Sequence, residues 1–212
     1  MKKGIINILL YIFIPSLIYS IIYRYENKNN ILYFICNIIP YITLLTYYII
    51  IYKKILINYI KKLNKKNILY TIIIWIIGFI LMILSNYIIN NLIIPNGISN
   101  NELNNRKLLF EHKYTHTLII GLIIPILEEI SFRLEFKHNI KNKHIFLIVS
   151  SLSFALIHII ATTNLIEIIY IIPYLILGLT FTYTYLKTNN LICSIISHIL
   201  HNTLTIIILL LF

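Results

Sequence analysis

The sequence predicts an all-α protein that crosses a membrane several times. Hydrophobic residues make up 59% of the 212 residues and charged residues only 12%, whereas a soluble domain carries about 25% charged residues. The mean hydropathy is +0.85, and apolar runs of about 20 residues, each long enough to cross a bilayer, recur along the chain. Because backbone polar groups inside a bilayer must be satisfied within the protein, these runs predict a bundle of helices.

Seven transmembrane spans are predicted, with polar segments between them. We place the spans at about 4–23, 31–52, 68–89, 116–136, 145–161, 165–186 and 191–212. The first run follows two lysines as a signal peptide does, but it is too long and lacks a small-residue cleavage motif, so we expect an uncleaved helix. No linker rich in Pro, Gly or Ser divides the chain.

The basic residues predict the orientation of the spans. With a cytoplasmic N-terminus, twelve lysines lie on the inner side and five basic residues on the outer side, if Arg133 is left out as intramembrane. The positive-inside rule therefore predicts a multi-pass cell-membrane protein with its N-terminus in the cytoplasm and its C-terminus outside. Because the charge lies at the ends of spans, the net charge of +11 does not indicate a nucleic-acid partner.

Two segments between spans are distinctive. Segment 53–67 is a predicted loop that carries six lysines, with apolar residues at helical spacing. It is expected either to lie along an anionic membrane surface or to be a solvated basic loop. The apolar residues are Ile55, Leu56, Tyr59, Ile60 and Leu63. Segment 90–115, rich in Asn, is predicted to be the longest polar connection.

Two acidic side chains stand next to each other in the fourth span. The chain has seven Glu and no Asp, and Glu128 and Glu129 follow the apolar run 118–127. Ionisable residues inside a membrane span are rare and usually functional. Arg133 lies four residues after Glu129 on the same helix face, so we expect an ion pair between them. Glu128 lies about 100° further round the helix and is left for another partner.

Two further polar clusters interrupt later spans. Phe154 and His158 share one face of the fifth span, and His198 and Asn202 share one face of the seventh. Each has an ordinary structural explanation, because histidines pack in cores and Asn side chains often join membrane helices. If the three helices meet, they offer a carboxylate, two imidazoles and a carboxamide to one site. These groups suit peptide hydrolysis: a base for water and donors for an oxyanion.

The three motifs, in this order, resemble those of the CPBP family. These are the CAAX-processing and bacteriocin-processing intramembrane endopeptidases, also called the lysostaphin-resistance-A-like or ABI family. The matches are EExxxR at 128–133, FxxxH at 154–158 and HxxxN at 198–202. Leu134 stands where a small residue is common in the family. The resemblance covers roughly 115–208, and we divide the chain into N-terminal helices at 1–114 and a catalytic core at 115–212.

The resemblance implies a role for each motif. Glu128 and His158 would hold and activate a water, His198 and Asn202 would stabilise the oxyanion, and Glu129, Arg133 and Phe154 would support them. A metal-free mechanism without a cofactor is favoured. The alternative is a zinc site of Glu128, His158 and His198, although no HExxH motif occurs. Without Asp or a GxSG motif, the aspartyl and rhomboid types of intramembrane protease are excluded.

The expected substrate is a membrane-associated peptide or protein. A prenylated CAAX C-terminus and a peptide leader both remain possible substrates. The heavy use of Ile, Asn, Lys and Tyr is typical of an AT-rich genome, which favours a bacterial host and therefore leader processing or self-immunity. A non-catalytic immunity or transport protein that binds a peptide is the alternative to an enzyme, because polar residues inside the membrane also mark transport paths.

Overall fold

A computed structural model describes residues 10–11, 13, 30–95, 97–160, 162 and 164–211. Within these ranges every regular element is helical, which confirms the predicted fold class. The first predicted span, 4–23, lies outside the described residues except for Leu10, Tyr11 and Phe13, which are helical.

Seven helices follow one another in the described part of the chain. They are α1 (Asn30–Lys61), α2 (Lys65–Ile88), α3 (Asn100–Glu111), α4 (residues 113–139), α5 (Lys143–Ile159), α6 (Ile171–Thr188) and α7 (Leu191–Leu211). A π-helical segment, Ile89–Ile93, extends α2, and a 3-10 helix, Leu165–Tyr170, leads into α6.

Four of the described segments are long and apolar enough to cross a membrane: Ile38–Lys61, Lys65–Ile93, Leu165–Thr188 and Leu191–Leu211. Helix α5 is apolar but shorter. Many large apolar side chains on these helices face outward, whereas Glu129, Arg133 and Ser194 are buried. An apolar exterior around buried polar groups is the pattern of a protein surrounded by lipid. The chain is a multi-pass membrane protein, and the number of seven spans remains a prediction.

The two predicted connections are largely helical, so their boundaries were wrong. Helix α1 continues to Lys61, and Asn64 caps α2 by accepting a hydrogen bond from the backbone N–H of Asn67 at 2.9 Å. The helical spacing predicted for 53–67 is therefore present up to Lys61. Leu56 and Tyr59 pack on the core, and the Tyr59 hydroxyl lies 2.9 Å from that of Tyr185.

Segment 90–115 contains helix α3 instead of an extended polar connection. The hydroxyl of Ser99 caps this helix by accepting a hydrogen bond from the backbone N–H of Glu102 at 3.2 Å. Ser-x-x-Glu is the capping-box pattern that marks a helix start. Arg106, one turn later, pairs with Glu102 at 2.5 Å. These two local signals outweigh the Asn-rich composition that predicted a loop.

Helix α4 corresponds to the fourth predicted span and is interrupted twice by π-helical segments. They are Ile119–Ile123 and Ile130–Glu135, on either side of the two glutamates. Pro125 has no N–H to donate, which favours the first irregularity. The N–H of Ile124 reaches back five residues to the carbonyl of Ile119. The carbonyl of Ile120 therefore loses its usual helical donor and is available to another helix.

Helix α6 lies between α2 and α5, in close contact with both. At Gly178 a side-chain Cβ would lie 2.7 Å from the backbone oxygen of Ser151 on α5. At Gly78 on α2 it would lie 2.0 Å from the Thr180 hydroxyl. Small residues allow membrane helices to approach in this way. The close packing fixes α5 and α6 against each other beside the site described next.

Candidate active site

Glu129 is fully buried and is held by side chains of α4 and α7. The guanidinium Nε of Arg133 lies 3.1 Å from its Oε2, which confirms the predicted ion pair. Nδ1 of His198 lies 2.9 Å from Oε1, and the Ser194 hydroxyl donates to Oε2. A buried carboxylate with this many partners is held in one position. Glu129 therefore has a structural role.

The guanidinium of Arg133 is enclosed by aromatic rings and backbone. It lies over the rings of Phe154 at 4.8 Å and Phe181 at 5.7 Å, and Nη2 donates to the carbonyl of Gly178 at 3.4 Å. Aromatic faces attract a cation, most strongly where water is excluded. Arg133 thus links α4 with α5 and α6 while it neutralises Glu129.

The ring of His198 is fixed between the two glutamates. Its Nδ1 contacts Glu129, and its Nε2 lies 3.7 Å from Oε2 of Glu128. The ring also stacks on Phe181, with centroids 4.3 Å apart and an interplanar angle of 18°. Because Nδ1 donates to a carboxylate, the ring has one orientation, and Nε2 faces Glu128.

Glu128 is in a different environment from Glu129, although only 3% of its surface is exposed. The Tyr11 hydroxyl donates to its Oε1 at 2.5 Å. Its Oε2 has no hydrogen-bond partner among the described residues, and the side chain lines a cavity. Glu128 is therefore held through one oxygen, and the other is a buried acceptor 3.7 Å from Nε2 of His198.

His158 is positioned by its own helix and by two rings. Its Nδ1 lies 2.8 Å from the carbonyl of Phe154. Because a carbonyl only accepts, Nδ1 carries the hydrogen, and a neutral ring then has an acceptor at Nε2. The ring lies between Phe154 at 4.5 Å and Tyr174 at 4.7 Å. No hydrogen bond joins His158 to Glu128 or His198 in the part of the chain described.

Tyr174 connects His158 to the beginning of helix α3. Its hydroxyl lies 2.9 Å from the Ser99 hydroxyl and accepts from the amide of Asn101 at 3.1 Å. The residues that cap α3 therefore fix the ring that stacks on His158. This connection joins a segment predicted to be a loop to a predicted site residue.

Asn202 donates from Nδ2 to the carbonyl of Ile120 at 2.7 Å. This is the carbonyl that the π-helical segment and Pro125 leave without its helical donor. Asn202 therefore joins α7 to α4, which is the ordinary structural role of Asn in membrane helices. A carboxamide has a second N–H, so the bond to Ile120 is compatible with the predicted role at an oxyanion.

A cavity of about 850 Å³ brings the predicted catalytic residues together. Glu128, His158, His198 and Asn202 all line it, and so does Phe154. Glu129 and Arg133 are not part of its lining and lie behind Glu128 and His198. Of the seven predicted site residues, five therefore line the cavity. The other two, Glu129 and Arg133, support them from behind.

Several side chains of the site were not predicted from the sequence. Ser194 lies four residues before His198, so the helical spacing could have identified it. Tyr11, Tyr174 and Phe181 gave no such signal, because their contacts depend on how distant helices pack. His201, three residues after His198, is buried and lines the cavity, and its ring lies 5.8 Å from that of Phe79.

The side chains that could hold a metal ion form no ligand cluster in the described residues. No three His, Cys, Asp or Glu side chains in this part of the chain come together as ligands of one ion. The alternative zinc set of Glu128, His158 and His198 therefore does not fit this arrangement. No metal step enters the mechanism below.

A buried carboxylate and imidazole beside a cavity within a helical membrane bundle define the class, a multi-pass membrane protein with a polar site at an internal cavity. Residues 111–204 match the family model for "Type II CAAX prenyl endopeptidase Rce1-like". This match confirms the predicted resemblance over slightly less than half of the chain. It supports a CAAX-type intramembrane protease.

A curated relative also matches part of the chain. The UPF0177 protein YxdF of Lactococcus lactis subsp. lactis (strain IL1403) is 40% identical over 80 residues, which are 38% of this chain and 42% of that protein. The match thus spans less than half of the relative's length. No solved structure matches this chain.

Proposed function

We propose that the chain is an intramembrane endopeptidase that hydrolyses a peptide bond of a membrane-associated peptide or protein. One observation carries the proposal. Glu128, one of whose carboxylate oxygens has no hydrogen-bond partner among the described residues, lines the same cavity as His158, His198 and Asn202. A base, a fixed imidazole and an amide around one space are what acyl hydrolysis requires.

In the first step Glu128 and His158 hold a water, and Glu128 removes its proton. The resulting hydroxide attacks the carbonyl carbon of the substrate, and the carbonyl oxygen becomes an oxyanion. The hydrogen bond from Tyr11 occupies Oε1 of Glu128, so Oε2, which has no hydrogen-bond partner among the described residues, is the oxygen that accepts the proton. A positioned general base contributes about 10²- to 10⁴-fold to such a reaction.

In the second step His198 and Asn202 stabilise the oxyanion. His198 donates through Nδ1 to Glu129, so donation from Nε2 requires a doubly protonated ring. The carboxylate of Glu129 compensates that charge, and Arg133 keeps Glu129 ionised. The tetrahedral intermediate then collapses as Glu128 returns the proton to the leaving nitrogen, and the C–N bond breaks.

Removing the base while keeping its shape tests the proposal. The Glu128→Gln variant is expected to fold like the parent and to lose peptide cleavage by about 10²- to 10⁴-fold. Purified protein in detergent would be incubated with a peptide library rich in apolar segments, and new termini would be detected by mass spectrometry. Gel filtration and circular dichroism would check the fold.

Glu111→Gln is the matched control, since Glu111 is exposed and lies outside the cavity. This variant is expected to cleave like the parent. Undiminished cleavage by Glu128→Gln would show that Glu128 is not the base. The non-catalytic alternative, an immunity or transport protein that binds a peptide, instead predicts that Glu128→Gln still protects a cell as the parent does.

A further inference from the structure

The membrane-spanning helices line the cavity from one end of the bundle, and α3 lines it along its whole length. Its lining uses the beginnings of α1, α4 and α6 and the ends of α2 and α5, together with the middle and end of α7. The deepest members, Glu128 and His198, lie near the middle of their helices. The cavity therefore opens at one end of the bundle and reaches about halfway through it.

The lysines are concentrated at the opposite end of the bundle. Of the basic residues described, Arg133 aside, ten lie there and three lie at the cavity end. The ten are Lys53, Lys54, Lys61, Lys62, Lys65, Lys66, Lys137, Lys141, Lys143 and Lys187; the three are Arg106, Lys107 and Lys113. The lining of the cavity contains no lysine in the described chain.

We propose that the cavity opens to the extracytoplasmic side of the membrane and takes a peptide presented there. Lysines and arginines accumulate on cytoplasmic loops, so the lysine-rich end is the cytoplasmic end and the cavity faces outward. That the peptide is cleaved rests on the proposed function above. The direction of the opening rests only on the lining residues and the charge distribution.

Helix α3 indicates which part of a ligand the opening receives. Its side chains in the cavity wall are mostly polar, namely Asn101, Glu102, Asn105, Arg106 and the apolar Leu109. Large apolar side chains point outward instead, and Leu103 and Phe110 are 53% and 66% exposed. A helix packed on a protein normally turns its apolar face inward. Helix α3 therefore adds four polar side chains to the cavity wall.

The chemistry of this wall matches a peptide backbone. The carboxamides of Asn101 and Asn105 both donate and accept hydrogen bonds, as do peptide groups. Asn86 and Asn90 add two further carboxamides from the end of α2. Asn101 already donates to the Tyr174 hydroxyl, and Asn90 accepts from that of Tyr170, so the remaining donors and acceptors of these amides are the ones open to a ligand. An opening on the extracytoplasmic side makes that ligand a secreted peptide or an outward-facing protein tail.

Cysteine labelling in intact cells tests the direction of the opening. Thr205 lines the cavity on α7, whereas Thr203 on the same helix is exposed outside it. A charged, membrane-impermeant maleimide is expected to label Thr205→Cys in intact cells. Thr203→Cys, surrounded by lipid, and Lys141→Cys, at the lysine-rich end, are expected to stay unlabelled until the membrane is disrupted.

The parent chain, with Cys36 and Cys193, sets the background of the labelling. Labelling of Thr205→Cys only after permeabilisation would place the opening on the cytoplasmic side and overturn the proposal. Absence of label in both conditions would overturn it as well, because the cavity would not be hydrated. The maleimide itself requires no cleavage, so this result is independent of the proposed enzymatic function.

A second measurement tests the ligand. The peptide library is added outside intact cells that produce the parent chain or Glu128→Gln. We expect cleavage by the parent without permeabilisation and loss of that cleavage in the variant. Cleavage by the parent only after permeabilisation would overturn the outward opening while it left the proposed hydrolysis intact. If the outside label is found and Glu128→Gln still cleaves, the opening stands and the catalytic assignment fails.

Discussion

At the level of single side chains, two adjacent glutamates differ because of their neighbours. Glu129 has a guanidinium, an imidazole and a hydroxyl around it, whereas Glu128 accepts one hydrogen bond from a hydroxyl and has the imidazole of His198 at 3.7 Å. Breaking a buried ion pair such as that of Glu129 and Arg133 costs about 3–5 kcal/mol, because a charge is left uncompensated. The pair is thus a rigid support on which the position of His198 depends.

Tyr11 is expected to position Glu128. Its hydroxyl donates to Oε1 at 2.5 Å, and a hydrogen bond to a charged group is worth about 1.5–3 kcal/mol. We predict that Tyr11→Phe lowers kcat for peptide cleavage by about 10- to 100-fold, with KM little changed. The reason is that Glu128 would no longer be fixed in its orientation toward the water.

The control for Tyr11 is Tyr183→Phe, which removes the same hydroxyl from an exposed tyrosine of α6 and is expected to leave kcat unchanged. Initial rates over a range of peptide concentrations separate the two constants. An unchanged kcat for Tyr11→Phe, or a rise in KM alone, would show that Tyr11 does not act through Glu128.

The limits of sequence reasoning are visible in these same residues. The pair of Glu129 and Arg133 followed from helical spacing, because both lie on one helix. The contact between Tyr11 and Glu128 joins residues 117 positions apart and depends on how the helices pack, which no local pattern encodes. Motif order indicated which residues belong to one site, and packing decided which of them touch.

At the level of helices, irregular backbone brings the site together. The π-helical segment and Pro125 of α4 leave the Ile120 carbonyl for Asn202 of α7. The sequence predicted a helical span here and could not predict its π register, because a hydrophobic pattern reports the buried face and not the hydrogen-bond spacing. π-helical segments are often found at functional sites.

Gly178 is expected to determine how closely α5 and α6 approach. An added Cβ would lie 2.7 Å from the backbone oxygen and 3.0 Å from the Cα of Ser151. Backbone atoms cannot move away without shifting the helix, so we predict that Gly178→Ala destabilises the fold by about 1–3 kcal/mol. The thermal unfolding temperature in detergent is expected to fall, and cleavage to fall with it, because α5 carries His158.

Gly121→Ala provides the comparison for this prediction. The nearest atom to its added Cβ is the flexible end of Ile206 at 3.3 Å, so a smaller loss of stability is expected. If the two variants unfold at the same temperature, the contact at Gly178 does not limit the packing of α5 on α6.

At the level of the whole molecule, the lipid-facing surface and the interior of the bundle differ in polarity. The outer surface of the helices is apolar, and the polar groups face the cavity and the network behind it. The composition predicted an apolar outer surface, because this many apolar residues can be accommodated only if many of them face lipid. It could not predict the polar helix α3 in the cavity wall, since Asn-rich segments more often form loops.

The whole molecule is expected to work without a bound metal. In the described chain the acidic and imidazole side chains do not come together as three ligands of one ion, whereas a catalytic zinc ion has three protein ligands. We predict that elemental analysis of the purified protein finds far less than one equivalent of zinc or another transition metal. Treatment with EDTA or phenanthroline is expected to leave peptide cleavage unchanged.

Glu128→Gln, measured in parallel, separates the two mechanisms further. In the metal-free mechanism its metal content equals that of the parent, and only its cleavage is lost. A zinc site that includes Glu128 would instead bind about one equivalent in the parent, lose metal in the variant, and recover activity when zinc is returned after chelation. That set of results would assign Glu128 as a ligand of the ion instead of a general base.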